Sequence, residues 1–250
     1  MKEGIELEQR KRPGGDGGLG YYTSWEKSKS NGCIYCGKSA TTREHTPSKT
    51  FLIEPYPENL PTIPACFACN NGYSEDEKYV ACFLDLLKSQ VYLDYTQQEQ
   101  TKLRLLKDEK LNKTLQEQIW MENGKVNFKP DEKRILRILR KLARGHAGFE
   151  LDYINFDNTE IEVWYEFVFK MSQNDIEEFD DIPVYSLYPE VGSRGMYLIQ
   201  NLSTGAAYTF AGWIDVQNGQ YRYQVSYDNN SNIVVKIVIF EFLYCRVVLE

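Results

Sequence analysis

CIYCGKSATTREH, residues 33–45, places a Glu-His dipeptide a short distance after a Cys-x-x-Cys motif. A second Cys-x-x-Cys motif follows after 29 intervening residues. Two such pairs can offer four thiolates to one ion in the tetrahedral geometry that zinc prefers. The spacing therefore predicts a structural zinc site with the ligands Cys33, Cys36, Cys66 and Cys69.

The composition of the chain is that of a soluble globular protein. Of its 250 residues, 42% are apolar and 26% are charged, which is enough to bury one large core or two small ones. The first residues lack the apolar stretch of a signal peptide, and no run has the length of a membrane span. We therefore expect a cytoplasmic protein with no membrane partner. A reducing compartment favours zinc over disulfides, and Cys82 and Cys245 are expected to be buried free thiols.

Charge is unevenly distributed along the chain. The net charge of −7 argues against a general nucleic-acid coat. Residues 96–150 nevertheless contain 13 basic and 8 acidic residues, whereas residues 151–250 contain 5 basic and 15 acidic ones. Because local fields decide polyanion binding, the basic segment is compatible with nucleic acid. The acidic region is a poor DNA surface, and it suits a protein partner or a homo-oligomer contact.

Changes in composition divide the chain into four regions. Residues 1–30 are rich in glycine and charge and predict a flexible arm. Residues 31–95 form a compact region with many loops, and residues 96–148 a basic helical connecting segment. Residues 149–250 predict a domain of about five or six antiparallel strands, because their β-branched and aromatic runs are separated by turn residues. The predicted fold class is α+β.

Three helical segments are predicted. A helix over residues 74–90 begins with Ser74 and Glu77 in a capping-box spacing. Residues 96–122 favour helix, and a strongly amphipathic basic helix follows Pro130. His146 is expected to interact with the terminal carbonyl groups of that last helix. The leucine-rich face of the middle segment is expected to comprise Leu103, Leu106, Leu111, Leu115 and Ile119.

The residues between the cysteine pairs carry a further pattern. In chain order they give C-x2-C, Glu44-His45, Asn59-Leu60 and then C-x2-C followed by Asn70. This ordered set resembles the HNH endonuclease family, in its zinc-knuckle branch with a ββα-metal active site. EHTPSK, residues 44–49, is similar to the family's acidic residue and histidine followed by proline and serine. The resemblance covers residues 33 to about 80.

The resemblance implies a role for each matching residue. His45 would be the general base that activates a water molecule, since histidine titrates near neutral pH. Asn59 would orient its imidazole. Glu44 and Asn70 would bind Mg²⁺ or another divalent cation, which takes oxygen ligands. Whether Asn70 or Asn71 faces that ion is open. Arg43 and Lys49 are candidate phosphate contacts.

The resemblance therefore implies a divalent-metal-dependent endonuclease that cleaves DNA, with RNA as the other candidate substrate. Similar proteins occur in bacterial restriction and anti-phage defence and in mobile elements. The alternative is a non-catalytic zinc-knuckle module that binds nucleic acid or protein. The two differ in whether divalent ions and His45 are needed for function.

Overall fold

The computed structural model describes residues 32–151, 153, 161–185, 196–200, 202–204 and 207–250. The predicted arm, residues 1–30, lies outside the described residues. Within them the protein has a mixed α+β fold whose largest sheet is antiparallel and has five strands. The predicted α+β class is confirmed, and the assignment to a ββα-metal family stays a prediction.

A short hairpin carries the Glu-His dipeptide. Its strands are β1 (Thr42–His45) and β2 (Thr62–Ala65), which pair antiparallel with Glu44 opposite Ile63. The helix α1 (Phe67–Gly72) follows β2 after one residue. The threonine-rich segment that ends in Glu-His is therefore a strand, and the local order is strand, strand, helix.

The next four helices agree in position with the predicted segments, whereas the last one lies in the region predicted to consist of strands, and residues 119–122 of the middle segment form a strand. The segment 96–122 divides at Asp108, whose side chain accepts a hydrogen bond from the N–H of Leu111 at 3.0 Å and so begins a new helix. Among the described residues, no helix combines the length and apolar character needed to cross a membrane. These helices are α2 (Ser74–Val91), α3 (Glu99–Lys107), α4 (Glu109–Gln118), α5 (Glu132–Glu150) and α6 (Gln173–Asp180).

The start of α2 differs from the predicted capping box. Tyr73, in helical backbone conformation, links α1 to α2 without a side-chain cap. The Ser74 hydroxyl donates instead to the carbonyl of Asn71 at 2.8 Å, and the Glu77 side chain turns inward. The capping-box prediction was wrong because a helix that continues from a preceding helical turn has no extended N-cap residue.

The predicted leucine face is only partly correct. Leu111, Leu115 and Ile119 are buried as expected, whereas Leu103 and Leu106 are exposed. On α3 the buried positions are Thr101 and Leu105. The prediction assumed one continuous helix. The helix breaks at Asp108, so the residues before and after it do not share one face.

The C-terminal region contains more strands than the five or six predicted, because two long apolar runs each form two strands. The large sheet has the order β5-β12-β11-β10-β9, and a second sheet has the order β6-β8-β7, with antiparallel pairing throughout. A separate hairpin is formed by β3 (Ile119–Glu122) and β4 (Lys125–Phe128) around an Asn-Gly turn. The remaining strands are β5 (Ile161–Phe167), β6 (Val184–Tyr185), β7 (Met196–Gln200), β8 (Ala207–Ala211), β9 (Ile214–Gln217), β10 (Tyr221–Tyr227), β11 (Ile233–Ile239) and β12 (Leu243–Leu249).

One hydrophobic core contains side chains from the hairpin region, the helical segment and the C-terminal sheet region. It contains side chains from Phe51 in the hairpin loop to Leu249 in the last strand, and α5 contributes Ile135, Ile138 and Leu142. The helix α5 packs against the large sheet and also against α2 and β2. It therefore lies between the hairpin and the sheet, where its side chains reach both.

Candidate functional site

The four cysteines of the two Cys-x-x-Cys motifs lie together. Their sulfur atoms are all within 4.8 Å of one another, and the Sγ atoms of Cys36 and Cys66 are 3.7 Å apart. A zinc ion with Zn–S bonds of about 2.3 Å would place its ligands at tetrahedral edges of about 3.8 Å. The cluster could therefore hold a metal ion such as zinc, and its donor set fits that ion.

Local backbone geometry builds this cluster. After the first pair, Gly37 adopts a positive φ of 71°, and its N–H donates to the carbonyl of Cys33 at 2.8 Å. In the second pair, Cys66 is the N-cap of α1, and its sulfur accepts a hydrogen bond from the N–H of Cys69 at 3.4 Å. This bond lowers the pKa of Cys66 to about 7, whereas burial raises the pKa values of Cys33 and Cys69. Thiolate character, which metals require, is thus already favoured at Cys66.

The other two cysteines lie apart from the cluster. Cys82 on α2 and Cys245 on β12 are fully buried and form no disulfide. Burial raises the pKa of the Cys82 thiol to about 11. The prediction of two buried free thiols is confirmed.

Glu44 and His45 project from opposite faces of β1, since side chains alternate along a strand. Glu44 is only 5% exposed, on the same face as its neighbour Ile63, whereas His45 is partly exposed. The pair thus has one member inside the protein and one near the surface at the end of the strand.

Glu44 belongs to a buried network of charged residues. Its Oε1 accepts a hydrogen bond from Lys141 Nζ at 2.8 Å, and the same ammonium group donates to Glu77. The second carboxylate oxygen of Glu77 accepts a hydrogen bond from the hydroxyl of Ser48 at 3.1 Å. Burial raises the pKa of Glu44, and the charge of Lys141 partly offsets this effect.

Sequence reasoning did not place Lys141 in this site, and it favoured a capping-box role for Glu77. The pattern assigned Lys141 to the charged face of α5, yet its side chain is 2% exposed. The reason is that α5 packs against α2 and β2, so this face is covered as well. A signal was present, because Lys141 stands at helical spacing from Ile138 and Gly145, which are both buried.

Asn70 lies against the strand that carries Glu44. Its Nδ2 donates to Thr42 Oγ1 at 3.0 Å and to the carbonyl of Arg43 at 3.4 Å. Asn71, the other candidate ligand, is exposed. Asn59 is exposed in the turn that precedes β2, and within the described residues no hydrogen bond joins it to His45. The structure thus brings Asn70 to β1 and leaves Asn59 at the surface.

The two candidate phosphate contacts lie near His45 along the chain. Arg43 is exposed on the same face of β1 as His45. Lys49 follows in a short 3₁₀ helix, with its Nζ 5.1 Å from the centre of the Tyr56 ring. Both cations are placed where a polyanion could reach them.

Two oxygen atoms beside β1 could bind a divalent ion. Oε2 of Glu44 is buried and accepts no hydrogen bond within the described residues. Asn70 uses its amide N–H groups for β1, and its Oδ1 accepts no hydrogen bond from any residue that the structure describes. Two oxygen donors of the kind that Mg²⁺ prefers are therefore available, one carboxylate and one amide, although the ammonium of Lys141 already binds the other oxygen of the Glu44 carboxylate.

His146 has a different environment from the predicted helix terminus. It is fully buried within α5, its Nε2 lies 2.8 Å from the hydroxyl of Tyr221, and its ring stacks on Tyr223 with centroids 3.7 Å apart. Its Nδ1 lies 3.5 Å from the hydroxyl of Thr46, the residue after His45. The prediction was wrong because α5 extends to Glu150 and packs against the sheet at this level.

Arg144 and Gly145 complete the contacts of α5 with the hairpin. Arg144 donates to the backbone carbonyls of Ile34 and Tyr35 within the first cysteine turn. A Cβ atom on Gly145 would lie 2.8 Å from the Thr46 hydroxyl oxygen, so only glycine allows this approach. The helix thereby fixes both ends of the segment from the first cysteine pair to His45.

A scan against protein-family models found no match to this chain, and neither did searches of curated proteins and of solved structures.

Proposed function

We propose that this protein is a divalent-metal-dependent endonuclease that hydrolyses phosphodiester bonds of DNA. The observation that carries the proposal is the arrangement around β1. The Glu-His dipeptide ends this strand, the helix that follows the hairpin donates the Asn70 amide to the same strand, and four clustered cysteines flank the unit. This arrangement supports the roles that the sequence resemblance implies for Glu44, His45 and Asn70.

His45 is the proposed general base, because it is partly exposed at the end of β1 and neutral imidazole can take a proton from water. The role of Asn59 in orienting that ring rests on the resemblance alone, because Asn59 is exposed and forms no described hydrogen bond with His45. Oε2 of Glu44 and Oδ1 of Asn70 would hold a divalent ion. When bound, such an ion supplies positive charge that stabilises the scissile phosphate and the departing oxygen.

The zinc in this proposal is structural. Four thiolates fill a tetrahedral site and leave no open position for substrate. Its task is to hold the hairpin and the first cysteine turn, where the separate hydrophobic cluster contains only Cys33, Ile34, Tyr35, Ile63, Ala65 and Cys66 as buried members. Binding of the metal would therefore contribute directly to folding of this unit.

The substrate surface is proposed to include Arg43 and Lys49, with RNA as the other candidate substrate. The acidic C-terminal region would bind a protein partner or a second copy of the chain. A cytoplasmic role in restriction, anti-phage defence or a mobile element is part of the proposal through the resemblance alone.

A second function is a non-catalytic zinc-knuckle module, and one observation favours it. Glu44 and Asn70 both have structural partners, since Glu44 binds Lys141 and the Asn70 amide binds β1. In this alternative the two side chains stabilise the hairpin and hold no ion.

Plasmid nicking separates the two functions. We expect the zinc-loaded chain to nick supercoiled DNA with Mg²⁺ or Mn²⁺ and not with a chelator of weakly bound divalent ions. His45→Ala removes the base and should slow nicking by about 100-fold or more, while DNA binding in a gel-shift assay is retained. Arg43→Ala is the matched control from the same strand face, and it should weaken binding more than turnover. Equal nicking by wild type and His45→Ala would refute the role of His45, and DNA binding without nicking by the wild type would favour the binding module.

A further inference from the structure

The network of Glu44, Glu77 and Lys141 contains more negative than positive charge. It has two carboxylates and one ammonium group, whose side chains are 6%, 6% and 2% exposed. Ser48 contributes one neutral hydrogen bond to Glu77. Charges so far from water need compensation by nearby charges or hydrogen bonds. Within the described contacts, the positive charge that compensates the two carboxylates is that of Lys141.

One oxygen of this network lacks a partner. Lys141 occupies Oε1 of Glu44, whereas Oε2 is inaccessible to solvent and accepts no hydrogen bond within the described residues. A buried carboxylate oxygen without a donor is costly, and it is the atom to which an added cation would bind most favourably. The chain thus presents both a resident cation and a place for a second one on the same carboxylate.

The two cations would repel each other strongly. The two oxygens of a carboxylate are close, so an ion on Oε2 would lie within a few ångströms of the ammonium group on Oε1. Repulsion at that distance is weakly screened in a buried site. The ion therefore binds more weakly than the carboxylates alone would allow, unless the ammonium withdraws.

We infer that Lys141 is the resident cation of the Glu44 site, and that a divalent ion binds Glu44 in competition with it. The inference rests on the proposed function in taking Glu44 as an ion ligand. Lys141 keeps the ion-free protein folded by neutralising the buried carboxylates. Lys141 also raises the concentration of divalent ion at which Glu44 becomes occupied. Occupancy of the site therefore changes with the concentration of the ion.

Glu77 has the opposite effect in this account. Its carboxylate attracts a divalent ion at Glu44 through its charge, and it gives Lys141 a second anchor. Replacing Glu77 should therefore weaken ion binding, and replacing Lys141 should strengthen it. A lysine that only positioned Glu44 for the ion would give the reverse result for Lys141.

The experiment measures Mn²⁺ binding to the zinc-loaded full chain by calorimetry, without DNA. We expect Lys141→Gln to bind Mn²⁺ at least about tenfold more tightly than wild type, since a like charge has left the site. Glu77→Gln should bind it more weakly, and Glu44→Gln should abolish binding. Lys88→Gln is the matched control, because Lys88 is a partly buried lysine on α2 that contacts the carbonyl of Phe240, and its affinity should equal that of wild type.

Unchanged or weaker Mn²⁺ binding by Lys141→Gln would overturn the inference, as would binding that survives Glu44→Gln. Should Lys141→Gln fail to fold, the double variant Glu77→Gln/Lys141→Gln takes its place in the experiment, because it removes one charge of each sign. The double variant should bind Mn²⁺ more tightly than Glu77→Gln alone, and equal or weaker binding would overturn the inference. Mn²⁺ competition without DNA cleavage would sustain this inference and refute the nuclease, so the two failures are distinguishable.

Discussion

Groups that can bind a metal ion lie together at two places, the cysteine cluster and the carboxylate network. Of these two, the carboxylate network includes a lysine. The four cysteine sulfurs have one another and nearby backbone N–H groups, such as that of Cys69, as hydrogen-bond partners. The carboxylates of Glu44 and Glu77, in contrast, share the ammonium group of Lys141. The thiol cluster could thus be occupied by a metal ion, whereas the carboxylate network is neutralised in part by the chain itself. We therefore expect the thiol cluster to need a metal in order to fold, and the carboxylate network to fold before any ion binds.

The largest expected effect follows from removing a thiol ligand. We expect Cys69→Ala to lose zinc and to unfold residues 32–72, because structural zinc sites contribute on the order of 10 kcal/mol of binding free energy. Zinc content and limited proteolysis measure this directly. Cys82→Ala is the control, since Cys82 lies in the core away from the cluster, and it should keep one zinc per chain. Full zinc content in Cys69→Ala would refute the four-thiolate site.

The carboxylate network should be destabilised by losing its cation, although less severely. We expect Lys141→Gln to lower the free energy of unfolding by about 3–5 kcal/mol, because two buried carboxylates lose their counter-ion. Urea denaturation of zinc-loaded protein without added divalent ion measures this effect. Glu77→Gln/Lys141→Gln should recover most of the loss. A cost for Lys141→Gln as small as that of a surface lysine would contradict the described burial.

The contact between α5 and the sheet should have an intermediate effect. Tyr221→Phe removes the hydroxyl that pairs with His146 Nε2, and we expect a loss of about 1–3 kcal/mol for the unpaired buried nitrogen. Tyr92→Phe is the control, because the Tyr92 hydroxyl makes no hydrogen bond in the described structure while its ring packs edge-on to Phe242. Thermal denaturation compares the two, and equal melting temperatures would show that the His146 contact does not stabilise the fold.

The smallest expected effect concerns a lysine in an exposed ion pair. Lys102 binds Glu99 at 2.6 Å, with side chains 42% and 79% exposed. Lys102→Gln should change the free energy of unfolding by less than about 0.5 kcal/mol, because water and salt screen such pairs. Measured beside Lys141→Gln in the same urea series, it isolates the contribution of burial. A similar loss in both variants would mean that burial is not what makes Lys141 important.

Local features of the fold could be predicted from the sequence. The two Cys-x-x-Cys turns depend on residues a few positions apart, and the structure brings their sulfurs together as the spacing implied. The helix α2 and the Asn-Gly turn between β3 and β4 are equally local. Short-range spacing, capping and turn chemistry determine such features, so one sequence is enough to find them.

Features that depend on distant contacts could not be predicted in this way. Lys141 is buried only because α5 packs on Glu44 and Glu77, residues that are 97 and 64 positions away. His146 likewise depends on Tyr221, 75 positions further along the chain. Helical spacing places Lys141 beside the buried positions of α5, but nothing within α5 specifies that Glu44 and Glu77 lie opposite it.

The position of the turn between β11 and β12 could not be predicted from the local sequence either. Phe240 and Glu241 both adopt positive φ values, of 59° and 47°, where asparagine or glycine is usual. Glu241 pairs with Arg222, and the Phe240 side chain is buried, so tertiary contacts hold a conformation that the local sequence disfavours. The apolar run therefore gave no signal for the position of the turn.

The proposal that His45 acts as a general base is tested most directly by chemical rescue. Phosphodiester cleavage is measured for the zinc-loaded wild type and His45→Gly in Mn²⁺, with and without added imidazole. The account predicts that His45→Gly loses cleavage by about 100-fold or more and that imidazole restores part of it. Equal cleavage rates for wild type and His45→Gly without imidazole would contradict it.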